Sequence, residues 1–200
     1  MNSGKDILTK NIQELLHSLN TFIATEKAMD NFEEIVELCI STIKNGNIIY
    51  FVGNGGSAAD SQHIAAEFVA RFKLDRQAIP ALALTTDMSN VTAIANDYDF
   101  SQIFSRQLQA LGRSGDILFC LSTSGNSENV INAAKCASVL GAKSVAVTGN
   151  INNRLMDHCD FHLVVDSDQT SSVQEAYLVI LHSLCEAVEL KLFKGNFDDS

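Results

Sequence analysis

The feature that most constrains the fold of this chain is a series of short apolar runs separated by stretches long enough for helices. The runs are rich in β-branched residues and have the length of strands. Runs that are apolar throughout, rather than alternating, are typical of parallel strands covered by helices on both faces. The sequence therefore predicts a three-layer α/β fold with a five-stranded parallel sheet, of the flavodoxin-like or Rossmann-like kind. The runs are residues 48–52, 81–85, 117–122, 144–148 and 161–165.

Two amphipathic helical stretches precede the first of these runs. Apolar residues recur at helical spacing over residues 8–22 and again over 32–43, and the Lys-Asn-Gly break at 44–46 ends the second stretch. We therefore predict one domain that opens with a helical hairpin and closes with a long helix and a polar tail. The predicted parts are a single domain over 1–193, a hairpin over about 5–44, an α/β core over about 47–193, a last helix over about 171–193 and a flexible tail over 194–200.

Composition and charge narrow the classes of function. A net charge of −10 repels nucleic-acid backbones, so we expect no nucleic-acid partner. Residues 1–19 carry charges at helical spacing, and no later apolar run is long enough to span a bilayer, so we expect neither a signal peptide nor a membrane partner. The five cysteines contain no C-x-x-C pair, which is typical of reduced thiols. Together these observations predict a cytoplasmic protein.

Glycine and hydroxyl-bearing residues follow the first and third predicted strands, and each group precedes a helix. Such loops present backbone N–H groups and hydroxyls to an anion at a helix N-terminus. One loop alone is commonly an ordinary turn or helix cap. Two at equivalent strand ends favour a phosphate site, because ligands of open α/β sheets bind at the carboxyl ends of the strands. The loops contain Asn54, Gly55, Gly56 and Ser57, and Ser122, Thr123, Ser124 and Ser127.

A dinucleotide-binding alternative arises from the same glycine loop. Residues 53–58 match the pattern G-x-G-x-x-A, and the second predicted strand ends near an acid, Asp87. That acid stands farther from the glycines than the usual distance of about 20 residues. The chain also lacks a second domain to hold a substrate. Phosphate binding is therefore the preferred interpretation.

The helix after the glycine loop carries His63, Glu67 and Arg71 at positions i, i+4 and i+8. This spacing places an imidazole, a carboxylate and a guanidinium along one helical face. A His–Glu pair at this spacing is commonly a solvated surface pair. Here the helix begins at the predicted phosphate loop, which indicates that its polar face looks into the same cleft.

The last predicted helix places Gln174 and His182 within an apolar run. A polar residue in such a run is either a hydrogen-bonded core residue or a ligand. Eight residues separate the two by about 12 Å along a helix axis. If both bind one metal ion, the backbone must bend or a neighbouring subunit must supply one of them. Asn96 and Asp97, on local grounds, are turn formers or a helix cap.

These motifs, in this order and spacing, resemble those of the bacterial phosphoheptose isomerases. The segments are GNGGSAADSQHIAAEF, AIANDYDF, STSGNS and QEAYLVILH, and the resemblance covers nearly the whole chain. That family interconverts sedoheptulose 7-phosphate and D-glycero-D-manno-heptose 7-phosphate. Its members are homotetrameric sugar isomerase (SIS) domains with zinc-containing sites between subunits. The resemblance thus implies an isomerase with a sugar-phosphate substrate and one Zn²⁺ per subunit.

The resemblance also implies roles for individual residues. Glu67 would be the base that moves a proton through an enediol, His182 the acid, and zinc a Lewis acid. The implied zinc ligands are His63, Glu67, Gln174 and His182. The implied substrate contacts are Asn54, Gly55, Gly56, Ser57, Arg71, Asn96, Asp97, Ser122, Thr123, Ser124, Ser127 and Gln174.

Two alternatives to this isomerase remain open on the sequence. One is a non-catalytic SIS protein that binds a protein partner, similar to the replication-initiator-associating protein. The other is an isomerase or sensor for another sugar phosphate. That partner-binding protein lacks a carboxylate at the position of Glu67, so Glu67 together with His182 favours an enzyme. Ser171, Ser172 and Tyr177 depart from the residues common in the family, which bears on how the substrate is held.

Overall fold

The computed structural model describes residues 3–149 and 152–194. Lys194 caps the last helix, and the rest of the predicted flexible tail lies outside the described residues. The predicted architecture is confirmed: five parallel strands form one sheet in the order β2-β1-β3-β4-β5. This is the flavodoxin-like order, whose ligand crevice lies where β1 and β3 are neighbours. The strands are β1 Ile49–Gly53, β2 Ala81–Ala83, β3 Ile117–Leu121, β4 Lys143–Thr148 and β5 Phe161–Val164.

Helices cover both faces of the sheet, as predicted from strands that are apolar throughout. Ile49 and Phe51 of β1 pack into one core and Tyr50 and Val52 into the other, because successive side chains of a strand point to opposite faces. The first core is closed by α1, α2, α3 and α7, and the second by α4, α5 and α6. The helices are α1 Gly4–Ala24, α2 Glu26–Lys44, α3 Gly56–Val69, α4 Met88–Asp97, α5 Ser105–Leu111, α6 Glu128–Leu140 and α7 Thr170–Phe193.

The predicted helical hairpin forms from α1 and α2, which are joined at Thr25. A capping box between Ser3 and Asp6 starts α1, because each side chain accepts a hydrogen bond from the other residue's backbone N–H. Both helices pack against α7. None of the described helices is long and apolar enough to cross a membrane.

The helix after the glycine loop ends earlier than the sequence predicts. Helical spacing puts Arg71 on the same face as His63 and Glu67, but α3 stops at Val69 and Arg71 lies exposed beyond its end. The reason is a side chain of the segment that follows: the guanidinium of Arg76 donates hydrogen bonds to the carbonyl oxygens of Glu67 and Phe68 at 2.8 and 2.7 Å. These carbonyls lie in the last turn of the helix, where a cation satisfies them.

Candidate metal centre and anion-binding loops

The two predicted anion-binding loops lie side by side at the carboxyl ends of β1 and β3, as the sheet order requires. A reciprocal amide pair joins them, because Asn54 and Asn129 each donate a hydrogen bond to the other's Oδ1 at 2.8 Å. Asn54 follows β1 and Asn129 is the second residue of α6. The Oδ1 of Asn129 also accepts from the N–H of Val130 at 3.0 Å, which fixes the orientation of its amide. The loops therefore form one continuous polar surface.

The hydroxyl-rich loop after β3 is partly closed by its own hydrogen bonds. The Oγ of Ser122 lies 3.4 Å from the Oγ of Ser127 and accepts from the N–H of Gly125 at 3.2 Å. Gly125 has φ +62°, a backbone conformation that residues other than glycine rarely adopt. Thr123 and Ser124 line a surface cavity of about 260 Å³ that continues to residues 167–173, ahead of and within the first turn of α7. Binding of a phosphate beside these hydroxyls and the N-terminus of α6 stays a prediction.

A buried polar network lies directly beneath the glycine loop. The carboxylate of Asp60 accepts two hydrogen bonds of 2.6 Å, one from the amide of Gln174 and one from the hydroxyl of Tyr177. That hydroxyl lies 2.9 Å from the Oγ of Ser57. Gly56 leaves room for Gln174, since a Cβ at Gly56 would stand 2.5 Å from the Gln174 Nε2. The network thus ties the start of α3 to α7.

Farther along the same two helices, His63, Glu67 and His182 come together. Their candidate ligand atoms all lie within 4.8 Å of one another. The Nε2 atoms of His63 and His182 are 2.8 Å apart, and the Nε2 of His63 is 3.5 Å from an oxygen of Glu67. Two imidazole nitrogens and a carboxylate oxygen are a donor set that zinc binds in proteins. The group therefore fits a divalent metal ion.

The electrostatics of His182 suit the same role. Its burial and then the neighbouring imidazole of His63 lower the pKa of His182, and the carboxylate of Glu67 opposes this only in part. A lowered pKa favours the neutral imidazole, which is the form that binds a metal. The ring also stacks on Phe72 with a centroid distance of 5.6 Å, which fixes its plane.

Comparison with known proteins agrees with this geometry. Residues 10–149 match the family model of the SIS domain. The phosphoheptose isomerase of Akkermansia muciniphila is 44% identical over 91% of this chain and 96% of its own length. That of Clostridium acetobutylicum is 42% identical over 98% and 100%. The chain belongs to the phosphoheptose isomerase family of SIS domains. The phosphoheptose isomerase structure from Neisseria gonorrhoeae has a TM-score of 0.87 at 34% identity, covering 94% of this chain and 99% of that one.

Within one chain, this family member does not bring Gln174 to the three-residue group. Its amide is bonded to Asp60, and α7 is continuous from Thr170 to Phe193, so the separation of about 12 Å from His182 is kept. A set of four ligands that includes Gln174 thus stays a prediction, and it needs a second subunit or a bend in α7.

Asn96 and Asp97 lie at the exposed end of α4, where the amide of Asn96 donates to Asp97 at 2.8 Å. Among the described residues, these two side chains bond only to each other. The local prediction of turn formers or a helix cap is wrong, because both residues belong to the last turn of α4 and Tyr98 is its C-terminal cap. Their predicted contact with the substrate, like that of Arg71, stays a prediction.

Sequence reasoning missed the residues that hold the site in place. Asp60 stands one helical turn before His63 on the same face, and this spacing was a usable signal. Glu189 stands in the apolar run of α7, which was a second usable signal, and the structure shows that it is fully buried. Asn129 gave no local signal, because its partner Asn54 lies 75 residues away, and the same holds for the pairing of Arg76 with Glu189 across 113 residues.

Proposed function

We propose that this chain is an aldose–ketose isomerase that interconverts sedoheptulose 7-phosphate and D-glycero-D-manno-heptose 7-phosphate. The observation that carries the proposal is the convergence of His63, Glu67 and His182 on helices whose N-terminal ends border the paired anion-binding loops. We further propose that the metal ion is Zn²⁺, held by these three residues and by Gln174. The homologues named phosphoheptose isomerase support both parts.

The reaction moves a proton between carbons 1 and 2 of the sugar through an enediol, so it needs a base and an acid that act on adjacent atoms. In our proposal Glu67 takes the proton from carbon, and His182 exchanges a proton with the neighbouring oxygen. A bound Zn²⁺ supplies Lewis-acid stabilisation of the negative charge that develops on oxygen. Both side chains are partly accessible, which the transfer of a proton to a substrate requires.

The phosphate group of the substrate would bind at the other end of the site. The hydroxyls of Ser122, Thr123, Ser124 and Ser127 and the N–H groups at the start of α6 suit its oxygens. Asn54, Gly55 and Ser57 line the adjoining loop, and Gln174 contacts Gly56 there. About 10 Å of α3 separates Gly56 from His63, and a seven-carbon sugar carries its phosphate at the end opposite to carbons 1 and 2. The proposed site thus suits a long sugar phosphate.

We propose a homotetramer in the cytoplasm, with active sites shared between subunits. One support is the row of exposed apolar residues on α1, where Ile7 and Leu8 are 51% and 61% exposed. A second is the exposed aromatic pair Tyr98 and Phe100, which directly follows the end of α4. In our proposal an interface at the end of α4 brings Asn96 and Asp97 of one subunit to the site of another.

The test is to incubate the metal-loaded protein with sedoheptulose 7-phosphate and detect the aldose product, with and without a chelator. We expect product that the chelator abolishes and that Zn²⁺ restores. Glu67→Gln should reduce turnover by at least about a hundredfold, within the range that acid–base catalysis contributes. His17→Gln changes an exposed histidine of α1 and serves as the matched control.

No product from a folded, metal-loaded protein would overturn the proposal. It would favour the non-catalytic SIS alternative, in which the chain binds a protein partner. Near-normal turnover of Glu67→Gln would show that Glu67 is not the base, but it would leave the proposed isomerase activity in place. Product from another ketose phosphate at higher kcat/KM would reassign the substrate.

A further inference from the structure

A buried ion pair joins the far ends of the two helices that carry the metal group. The Nε of Arg76 donates to Oε1 of Glu189 at 2.9 Å, and the side chains are 1% and 0% exposed. Glu189 stands on α7, two turns after His182. Arg76 lies in the segment that follows α3. Buried charges are stable only where they are paired and hydrogen-bonded. The hydrogen bonds of Arg76 and Glu189 therefore hold both side chains in one position.

One half of the pair holds the helix end that carries Glu67. The guanidinium of Arg76 donates to the carbonyl oxygens of Glu67 and Phe68 in addition to its bond with Glu189. The planar fork of an arginine suits several acceptors at fixed angles. The backbone of Glu67 is therefore fixed relative to α7.

The other half of the pair holds the chain that contacts His182. The carboxylate of Glu189 accepts hydrogen bonds from the backbone N–H groups of Phe72, Lys73 and Leu74 at 3.1, 2.8 and 3.0 Å. The ring of Phe72 stacks on the imidazole of His182, with 1° between the planes. The plane of His182 thus depends on the same carboxylate.

From these contacts we infer that Arg76 and Glu189 are positioning residues for the metal centre, acting on Glu67 through its backbone and on His182 through Phe72. The inference rests on the proposed metal-binding function. Neither residue belongs to the three-residue metal group of His63, Glu67 and His182. Their role is to keep the ligands of α3 and α7 at the separation that one divalent ion requires, as groups beyond the ligands do in metal sites generally.

The test measures Zn²⁺ binding by competition with a chromophoric chelator and records the visible spectrum of the Co²⁺-loaded protein. We expect Glu189→Gln to weaken Zn²⁺ binding about tenfold or more, the range found when such supporting groups are removed. The Co²⁺ absorption bands should shift, because their positions report ligand geometry. Arg76→Lys should act in the same direction, since an ammonium cannot bond to Glu189 and two carbonyl oxygens in the geometry of the fork.

Glu186→Gln provides the matched control. Glu186 also links α7 to the segment after α3, through Lys73 at 2.6 Å, but these side chains are 36% and 54% exposed. We expect the Zn²⁺ affinity and the Co²⁺ spectrum of the Glu186→Gln variant to equal those of the wild type. A purely structural ion pair predicts a lower melting temperature with unchanged affinity and spectrum.

Unchanged affinity and spectrum in whichever of the two variants folds would overturn the inference. Arg76→Lys keeps the buried charge and so provides a second measurement if Glu189→Gln does not fold. A wild-type chain that binds no Zn²⁺ would overturn the metal centre itself and this inference with it. Weaker binding in the variants of a zinc-binding wild type supports both.

Discussion

The hydroxyl of Tyr177 donates a 2.6 Å hydrogen bond to the same carboxylate oxygen of Asp60 that holds the amide of Gln174. Burial, and then the neighbouring carboxylate, raise the pKa of Tyr177, so the hydroxyl keeps its proton and stays a donor. In this chain the tyrosine of α7 contacts both Ser57 and Asp60 of α3, so the contact holds the two helices together.

Removing the Tyr177 hydroxyl should destabilise the protein without disrupting its packing. We expect Tyr177→Phe to lower the free energy of unfolding by about 1–3 kcal/mol, because the buried carboxylate of Asp60 loses a donor. Urea unfolding measures the loss. Tyr98→Phe is the control, since Tyr98 is 57% exposed and its hydroxyl accepts from Arg106 at the surface. Equal effects of the two substitutions would contradict the prediction.

A methyl group at Gly56 should disturb the substrate site more than the fold. In Gly56→Ala the new Cβ would meet the Gln174 amide at 2.5 Å, and Gln174 can move away only by giving up its bond to Asp60. We expect a loss of about 1 kcal/mol in stability and a clear fall in kcat/KM. Gly4→Ala adds a methyl at the start of α1, where nothing lies within 4 Å, and should lower neither the stability nor kcat/KM.

A carboxylate at position 129 should weaken phosphate binding selectively. Asn129→Asp removes the donor to Asn54 and adds negative charge beside the paired loops. Acidic residues are favourable in the first turn of a helix, which offsets part of the cost of a charge at this buried position. We expect KM to rise about tenfold, equivalent to roughly 1.4 kcal/mol, with unchanged Zn²⁺ affinity. Asn132→Asp puts the same charge one turn farther along α6 and is the control; a similar KM in both would refute the placement of the phosphate.

The buried carboxylate of Glu189 should shape the stability of the protein in acid. Burial alone would raise the pKa of Glu189, but the backbone N–H groups of residues 72–74 and the Arg76 guanidinium outweigh it and lower the pKa. Its stabilisation is therefore complete above the ordinary glutamate pKa of about 4.3 and is lost as the pH falls through the lower folded value. We expect Glu189→Gln to cost about 3 kcal/mol near neutral pH.

Urea unfolding at a series of pH values measures this linkage. The difference between wild type and Glu189→Gln should shrink as the pH falls below the ordinary glutamate pKa. Glu186→Gln should follow the wild-type curve in parallel, because that carboxylate stays partly exposed. A difference that stays constant with pH would show that the charge of Glu189 does not carry the effect.

Much of the fold could be predicted because its signals are local. Each strand is a short apolar run, and the order of helices and strands leaves few arrangements for a parallel sheet. The pairing of His63 with Glu67 follows from helical spacing alone, and the anion-binding loops follow from glycine and serine at strand ends. That His182 joins them came from resemblance, since 119 residues separate it from His63.

The parts that could not be predicted depend on contacts across the chain. The sequence places Arg71 on α3 because nothing near it breaks a helix, yet Arg76 and Glu189 end the helix two residues earlier. The pairing of Asn54 with Asn129 spans 75 residues and joins two ordinary-looking amides. Such pairs appear only once the sheet has placed its loops, so the spacing of residues in sequence carries no trace of them.

The last helix, α7, carries Gln174 and Tyr177 at one end, His182 at its middle and Glu189 toward the other. About 22 Å of continuous helix therefore connects the predicted anion-binding loops to the buried pair of Arg76 and Glu189. A mutation that shifts or rotates α7 should therefore affect more than one property of the protein. Metal affinity and substrate affinity should fall together in such a mutant. A second mutation that restores one of the two affinities should restore the other.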